Sequence, residues 1–352
     1  MLNSTDSKMP SQRKASADEL QRKSSGRVSP TDASSPNRDP LVYVVVPVFN
    51  RSETTLRFLK QFETVTYSNH RIVVVDDGST DGTRSAIELN FPEVTILTGD
   101  GNLWWSGGTN RGVKHALQQG ADYILTINDD ATFEPVFLTR MVETASQDRR
   151  FIVGSRLHCE DRPDEIWAIG TEPIFRGGAI YGLNHAGKRW SEIRDSLSNP
   201  YPVKTMPGNG VLIPRAVFEQ AGFYDEEHMP QYHADSDLVL RAAKIGFKPV
   251  VALDSVLQNH ILEVALVDNR IDLIFSRKSD RYWKTVWATL RRHAPWGRRT
   301  YLLLRQYTPF FFNGPILGRC KRMMARLLER APNPTSEGSS RGYNPTCDSG
   351  PK

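Results

Sequence analysis

Two short clusters carry side chains suited to chemistry at a nucleotide: Asp76-Asp77 and Asn128-Asp129-Asp130. Each follows directly on an apolar run, Arg71-Ile72-Val73-Val74-Val75 before the first and Tyr123-Ile124-Leu125-Thr126-Ile127 before the second. A carboxylate at the end of a buried strand can accept the imide N–H of a pyrimidine base, which is the reading for Asp76 and Asp77. Their structural alternative is a pair of turn acids, and Asp81 reads as the cap of the helix that follows. At Asp129-Asp130 two adjacent carboxylates repel each other. A hard divalent ion that also touches phosphate oxygens is the natural compensation, against the alternative of a helix-capping loop.

Three further segments carry candidate side chains. Gly99 to Gly112 holds five glycines, with Asn102, Trp104 and Trp105 among them. The glycines permit close backbone approach to a ligand, and a helix expected to begin near Thr109 would offer N–H groups to phosphate or sugar oxygens. The Gly-Lys-Ser/Thr ending of a Walker A loop is absent. Trp104 and Trp105 read either as ligand-facing or as core. Met206 to Pro214 reads as a tight turn entering a strand, in which Gly208 and Gly210 would let a sugar lie close to the backbone beside Asn209. Asp235 and Asp237 stand at the start of a helix that Gly246 ends. One acid serves as an N-cap, but two exceed what capping needs, and a carboxylate in a cleft can deprotonate a hydroxyl. His260 follows the apolar stretch Val250–Leu257, and a lone histidine there has a structural reading as well as a ligand one.

These residues need elements to position them. Leu41-Val42-Tyr43-Val44-Val45-Val46 is a continuous apolar run that stops at Pro47, as a strand buried on both faces would be. Shorter strand candidates are Val94–Leu97 and Phe151–Val153, and helical patterns span Glu53–Thr64, Thr83–Leu89 and Thr109–Gln118. The β-α-β-α-β order predicts an α/β fold with a doubly wound, mostly parallel sheet. Ligands bind outside the carboxyl ends of such strands. Pro47-Val48-Phe49-Asn50, Asp76–Ser79 and Asn128–Asp130 are thereby placed on one rim.

The bulk numbers set outer bounds. The chain has 352 residues, 39% hydrophobic and 24% charged, with a net charge of +5. That charge is too small and too diffuse to argue for nucleic acid. Cys159, Cys320 and Cys347 form no metal-ligand spacing and no disulfide framework, which fits a reducing compartment. Residues 1–39 are rich in Ser, Pro, Lys and Arg without an apolar signal core, and are expected to be a disordered segment, as is 331–352. A catalytic domain is expected over 40–265 and a helical basic and aromatic extension over 266–330. No run reaches the ~18–20 apolar residues of a spanning helix, so a cytoplasmic protein is expected, either free or peripheral on the inner face of a membrane.

The motifs resemble those of glycosyltransferase family 2, the inverting family with the GT-A (nucleotide-diphospho-sugar transferase) fold, and the rhamnosyltransferase-like members most of all. The resemblance runs from about Leu41 to His260. It rests on Val46-Pro47-Val48-Phe49-Asn50-Arg51, Val75–Gly82, Gly101-Asn102, Gly107-Gly108, Asn110-Arg111-Gly112, Asn128–Asp130, Gly208-Asn209-Gly210, and Asp235-Ser236-Asp237-Leu238 with Arg241, all in the family's order. It implies a metal-dependent transfer of a sugar from a nucleotide-diphosphate donor, a UDP- or dTDP-sugar, to a glycan or lipid-linked acceptor, as in surface polysaccharide assembly. Pro47, Phe49, Asn50, Asp76, Asp77, Asn102, Gly108, Asn128 and Asp129 would then bind the donor. Asp130 and His260 would hold Mg²⁺ or Mn²⁺, and Asp235 would be the catalytic base. Gly208, Asn209, Asp237 and Trp105 would lie on the sugar and acceptor side. The family's Glu-Asp pair reads Ala234-Asp235 here, which removes one acid and retains the base candidate. The Gln-x-x-Arg-Trp motif of processive synthases is absent after Asp237, which implies a single transfer.

Residues 281–330 differ in character. Trp283, Val286, Trp287 and Leu290 share one helical face, with Lys284, Arg291 and Arg292 off it, and Arg319, Lys321, Arg322 and Arg326 follow. Two readings stand: a membrane-surface segment with Trp and Arg at the headgroups, or a helical subdomain packed by its Trp face on the catalytic core. For the whole chain the competing functions are a nucleotidyltransferase and a non-catalytic carbohydrate-binding protein of the same fold. The first usually carries a Gly-rich, Arg/Lys-containing loop where Pro47–Arg51 stands. The second would have no use for Asp130, Asp235 and Asp237.

Overall fold

The computed structural model describes residues 38–176, 179–259 and 270–312. Strand β1 (Val42–Val48) buries Val42, Val44, Val46 and Val48 on one face and Tyr43 and Val45 on the other. A strand covered on both sides is apolar at successive positions, which is the pattern of the run. Strands β2 (His70–Asp76), β3 (Thr95–Thr98) and β4 (Tyr123–Thr126) lie parallel to it in the order β3-β2-β1-β4. The later strands are β5 (Ala131–Phe133), β6 (Phe151–Cys159), β7 (Arg162–Ala168), β8 (Thr171–Arg176), β9 (Ala179–Leu183), β10 (Tyr201–Pro202), β11 (Val211–Pro214) and β12 (Lys248–Asn259). The sheet continues from β4 through β11, β6 and β12 to β10, with β11 antiparallel to both of its neighbours. Strand β6 runs on to Cys159, past the Phe151–Val153 core that sequence picks out, because β12 pairs with it along its length. The β8–β9 hairpin stands apart as a second small sheet.

The principal helices are α1 (Ser52–Phe62), α2 (Thr83–Asn90), α3 (Trp104–Gln118), α4 (Phe137–Ser146), α5 (Arg215–Ala221), α6 (Ala234–Lys244), α7 (Arg270–Phe275), α8 (Trp283–His293) and α9 (Arg299–Phe312). Phe58, Leu59 and Phe62 of α1, Ile87 of α2 and Phe137, Leu138 and Met141 of α4 fill the core on one face of the sheet. Val113 and Ala116 of α3, Val217 and Phe218 of α5 and Leu238, Val239 and Ala242 of α6 fill the other. The sheet is thus wound on both sides, as the strand-helix alternation requires.

Helix α3 begins at Trp104, earlier than the expected start at Thr109. Gly108 and Gly112 face the sheet within it, while Gly107 faces Leu103 and Glu226. A Cβ on Gly108 would lie 3.0 Å from Pro47 Cβ, and one on Gly112 would lie 2.4 Å from Val45 Cγ1. Only hydrogen at these positions lets the helix backbone approach β1 so closely. Gly108 and Gly112 therefore serve packing inside a helix, where sequence reasoning expected ligand approach in a loop; Gly99 and Gly101 precede the helix.

The C-terminal helices pack on the rest of the α/β fold. Val286 and Leu290 of α8 are buried with Ile180 of β9 and against Leu302, Leu303 and Tyr307 of α9. Arg292 and His293 reach Asp237 of α6. Trp283 and Trp287 do not join that buried face; they are 41% and 37% exposed. The helix packs inward through Val286 and Leu290, not by the Trp face that the packing reading named. Among the described residues no helix is long and apolar enough to cross a membrane. Arg319, Lys321, Arg322, Arg326 and the two terminal segments lie outside the described residues.

Candidate functional site

The parallel strands bring their carboxyl ends to one rim, where the loops after β1, β2 and β4 meet. The first two loops are stitched by side chain to backbone. Asn50, at φ 52°, donates its N–H to Ser79 Oγ at 2.8 Å and accepts the Thr80 N–H at Oδ1 at 2.8 Å. Asp76 is buried and accepts the Ser79 N–H at 2.9 Å. Asp81 accepts the Thr83 N–H at the start of α2 and the Ser52 N–H at the start of α1, so one acid caps two helices. Phe49 stays 52% exposed between Pro47 and Asn50, an aromatic face open at the rim.

Asp77 has a heavy structural duty. Its Oδ1 accepts the Gly101 N–H at 2.9 Å, and its Oδ2 accepts those of Leu103 at 2.9 Å and Trp104 at 3.1 Å. The Trp105 N–H goes to Gln231 Oε1 and that of Ser106 to the Pro230 carbonyl. The first amides of α3 are therefore spent within the protein, and a carboxylate occupies the place where sequence reasoning put phosphate or sugar oxygens. Asn102 is exposed and closes a turn with Asp100.

The loop after β4 carries the densest charge. Asp129 is buried, with Oδ2 accepting from Thr55 Oγ1 at 2.8 Å. Arg51 spans both acids, its Nε 3.3 Å from Asp129 Oδ1 and an Nη 2.9 Å from Asp130 Oδ2. Burial pushes the Asp129 carboxyl up to about 6, with Arg51 and Thr55 opposing it only in part. The compensating cation that two adjacent acids call for is thus supplied, on the protein's side, by a residue that sequence reasoning left out of the site. Arg51 closes the Val46–Arg51 motif, but nothing local tells what it pairs with; its partners lie far along the chain and meet it through the β1–β4 pairing.

The third part of the site hangs on this loop. Trp105 donates its indole N–H to Asn128 Oδ1 at 3.0 Å and stands edge-on to Tyr224. Asn209 accepts the Asn128 N–H at 2.9 Å and donates to Asn259 Oδ1 at 2.6 Å. A Cβ on Gly208 would lie 2.8 Å from the Trp105 ring and 2.9 Å from Asp235 Cβ. Gly208 is therefore bare so that the Trp105 indole and the Asp235 side chain can close on the turn. The sugar-approach role expected for Gly208 is met here by protein side chains, and the φ of +71° at Gly210 serves the turn's entry into β11. Asp235, in the first turn of α6, accepts the Gly208 N–H at 2.7 Å and the Ser236 N–H at 2.7 Å. Burial pushes its carboxyl above the ordinary range, and those N–H groups with His233 offset this only partly. Both contacts fix its orientation, and a base needs both a set direction and a raised proton affinity.

Asp237 parts company with Asp235. It is fully buried, 2.8 Å from Arg241 Nε, 3.1 Å from an Arg292 Nη and 2.8 Å from His293 Nε2. Burial works against its charge, but His293, Arg241 and Arg292 more than offset it and hold the carboxyl at about 2. The acceptor-side place expected for Asp237 is corrected accordingly: it is the anchor of α8. His260 lies outside the described residues.

A divalent ion at this rim can be tested against the donors present. Asp130 is partly exposed, and the Arg51 contact is to its Oδ2. Among the described residues no group of three or more His, Cys, Asp or Glu gathers on one point. The residues thus fit an ion bound through one or two carboxylate oxygens and completed by substrate phosphates and water, the habit of Mg²⁺ and similar hard ions.

The model of the family described as Glycosyl transferase family 2 matches residues 43–220, just over half of the chain. An N-acetylglucosaminyl-diphospho-decaprenol L-rhamnosyltransferase of Mycobacterium tuberculosis is 25% identical over 231 residues, covering 62% of this chain and 75% of its own. The amylovoran biosynthesis glycosyltransferase AmsB of Erwinia amylovora is 23% identical over 229 residues, covering 62% and 69%. Two solved structures share the fold. A mannosyltransferase from Pyrobaculum calidifontis in complex with GDP-Man and Mn²⁺ has a TM-score of 0.53 at 18% identity, over 85% of this chain and 78% of that one. GalNAc-T7 with UDP, GalNAc and Mn²⁺ has a TM-score of 0.59 at 15% identity, over 82% and 55%.

Proposed function

The chain belongs to glycosyl transferase family 2, and from that premise we propose that it catalyses a single inverting transfer from a nucleotide-diphosphate sugar to the hydroxyl of a glycan or lipid-linked acceptor. The observation that carries this reading is the placement of Asp235. Its carboxylate is oriented by Gly208 and Ser236 and raised by burial. Contacts through Gly208, Trp105 and Asn128 tie it to the acidic loop that ends in Asp130.

Asp235 takes the acceptor's proton as the oxygen attacks the anomeric carbon from the face opposite the nucleotide. The bond from that carbon to the diphosphate oxygen breaks, its electron pair leaves with the nucleoside diphosphate, and the anomeric configuration inverts. Phe49 offers its exposed face to the base, beside Pro47 and Asn50. Asp76 or Asp77 accepts the base imide, the latter while also ordering the turn at Gly101–Trp104. Asp129 lies toward the ribose or sugar. Asp130 would hold Mg²⁺ or Mn²⁺, with His260 as the second candidate ligand, and the ion when bound neutralises charge on the diphosphate. Arg51 is the protein's own cation beside the same oxygens. The two solved neighbours carry Mn²⁺ with a GDP-sugar or with UDP, which supports a nucleotide-sugar donor with a divalent ion. The rhamnosyltransferase and amylovoran relatives support a lipid-linked or polysaccharide acceptor, with UDP- or dTDP-sugars as the first donors to try. A catalytic domain over 40–265 acting in the cytoplasm accords with that chemistry.

A calorimetric screen of UDP-, dTDP- and GDP-sugars with and without Mg²⁺ or Mn²⁺ tests this directly. One nucleotide class should bind, and more tightly with the ion. Binding of none would turn the assignment to the non-catalytic carbohydrate-binding reading, and release of pyrophosphate from a nucleoside triphosphate in place of sugar transfer would turn it to a nucleotidyltransferase.

A further inference from the structure

Between Arg277 and Arg305 the chain carries nine Lys and Arg against one acid, Asp280. The same stretch exposes large apolar side chains. Trp283 is 41% exposed, Trp287 37%, Trp296 84%, Tyr301 58% and Leu304 59%. These are not loosely held residues. One side of α8 is locked down by Thr285, Val286, Thr289 and Leu290, all buried, and by the Arg292 and His293 contacts to Asp237. At 100° per residue the arc left over carries Trp283, Lys284, Trp287 and Arg291. Helix α9 repeats the arrangement, with Leu302, Leu303 and Tyr307 turned to α8 and Tyr301, Leu304 and Arg305 outward. Trp296 projects from the short connection between the two helices.

We propose that this outward face of α8, Trp296 and α9 docks on an anionic lipid bilayer. Exposed Trp and Tyr alternating with Lys and Arg is the composition that settles at headgroup level, with rings in the interface and cations on lipid phosphates. Two copies of so basic a face repel each other, which disfavours self-association through it. The ion cluster at Asp237 makes the inner side of α8 continuous with α6, whose first turn holds Asp235. Docking through the outer side therefore holds the catalytic carboxylate at a fixed place relative to the bilayer surface. That consequence rests on the proposed role of Asp235, whereas the binding face itself is tested without the transfer reaction.

The test is flotation of the purified full chain with phosphatidylcholine vesicles and with equal-part phosphatidylglycerol–phosphatidylcholine vesicles. The chain should float with the anionic vesicles alone, and added salt should weaken the binding. The Trp283→Ala, Trp287→Ala double variant and the Lys284→Glu, Arg291→Glu double variant should each bind about tenfold or more weakly, with melting temperature unchanged. Equal flotation of the variants, or no flotation of the parent chain, overturns the proposal. So does a dimer in sedimentation velocity that the Trp variant disperses, since that assigns the face to a second copy.

Discussion

Asp235 and Asp237 are two residues apart in one helical turn, and burial and partners send them in opposite directions. Asp237 meets two guanidinium groups and the His293 ring and is held at about 2, whereas Asp235 meets two backbone N–H groups and is pushed up. Sequence marks both as more acid than a cap requires, but nothing in the spacing tells which one faces the cleft. The difference has a kinetic consequence. A base works in its ionised form, and a raised pKa delays that form to higher pH. The transfer rate should therefore fall as pH drops, with a midpoint above the ordinary Asp value of about 4, as a pH–rate profile under saturating donor will read. Arg51 shows the other limit of legibility. The acids at Asp129-Asp130 and their need for a cation are plain in the sequence, yet the arginine that answers them is visible only once β1 and β4 are paired.

Helix α3 is the element on which sequence reasoning and structure differ most. Its glycines look like a ligand loop because Gly is equally at home where backbone approaches a phosphate and where a helix approaches a sheet. Which one holds depends on the partner, and here the partner is β1. The two uses separate experimentally. Gly112→Ala places a methyl 2.4 Å from Val45 Cγ1, on a strand buried on both faces, and should lower stability by about 1–3 kcal/mol. Gly107→Ala meets nothing nearer than 3.4 Å and should be neutral or gain up to about 1 kcal/mol from helix propensity. Denaturant melts of the two variants read the contrast. The strands were legible by the same physics that hid the glycines: β1, β2 and β4 are apolar at successive positions because helices cover both faces of the sheet. β1 runs one residue past Pro47 to Val48, β2 closes on Asp76 and β4 stops at Thr126, so each strand ends within two residues of the polar change that marks it in the sequence.

At the scale of the molecule, the ion cluster at Asp237 joins α6 to the C-terminal helices. Asp237→Ala leaves Arg241, Arg292 and His293 without their common anion and should cost about 3–5 kcal/mol at neutral pH. The folded pKa lies below the ordinary value, so the stabilising charge is present above about pH 4 and is lost as pH falls toward 2. The gap in melting temperature between parent and variant should close over that window. The helical character of α8 is legible in the sequence, but which face it buries is not. One helix carries a buried face of Thr, Val and Leu and an outer face of Trp, Lys and Arg, and a periodicity that counts only apolar residues merges the two. The whole account rests on a donor rim served by a separate base. The most direct measurement is Asp235→Asn, assayed side by side for calorimetric binding of the donor and for sugar transfer. Donor affinity should be unchanged while transfer falls by about 10²–10⁴-fold. Transfer at the parent rate, or loss of donor binding together with activity, would contradict it.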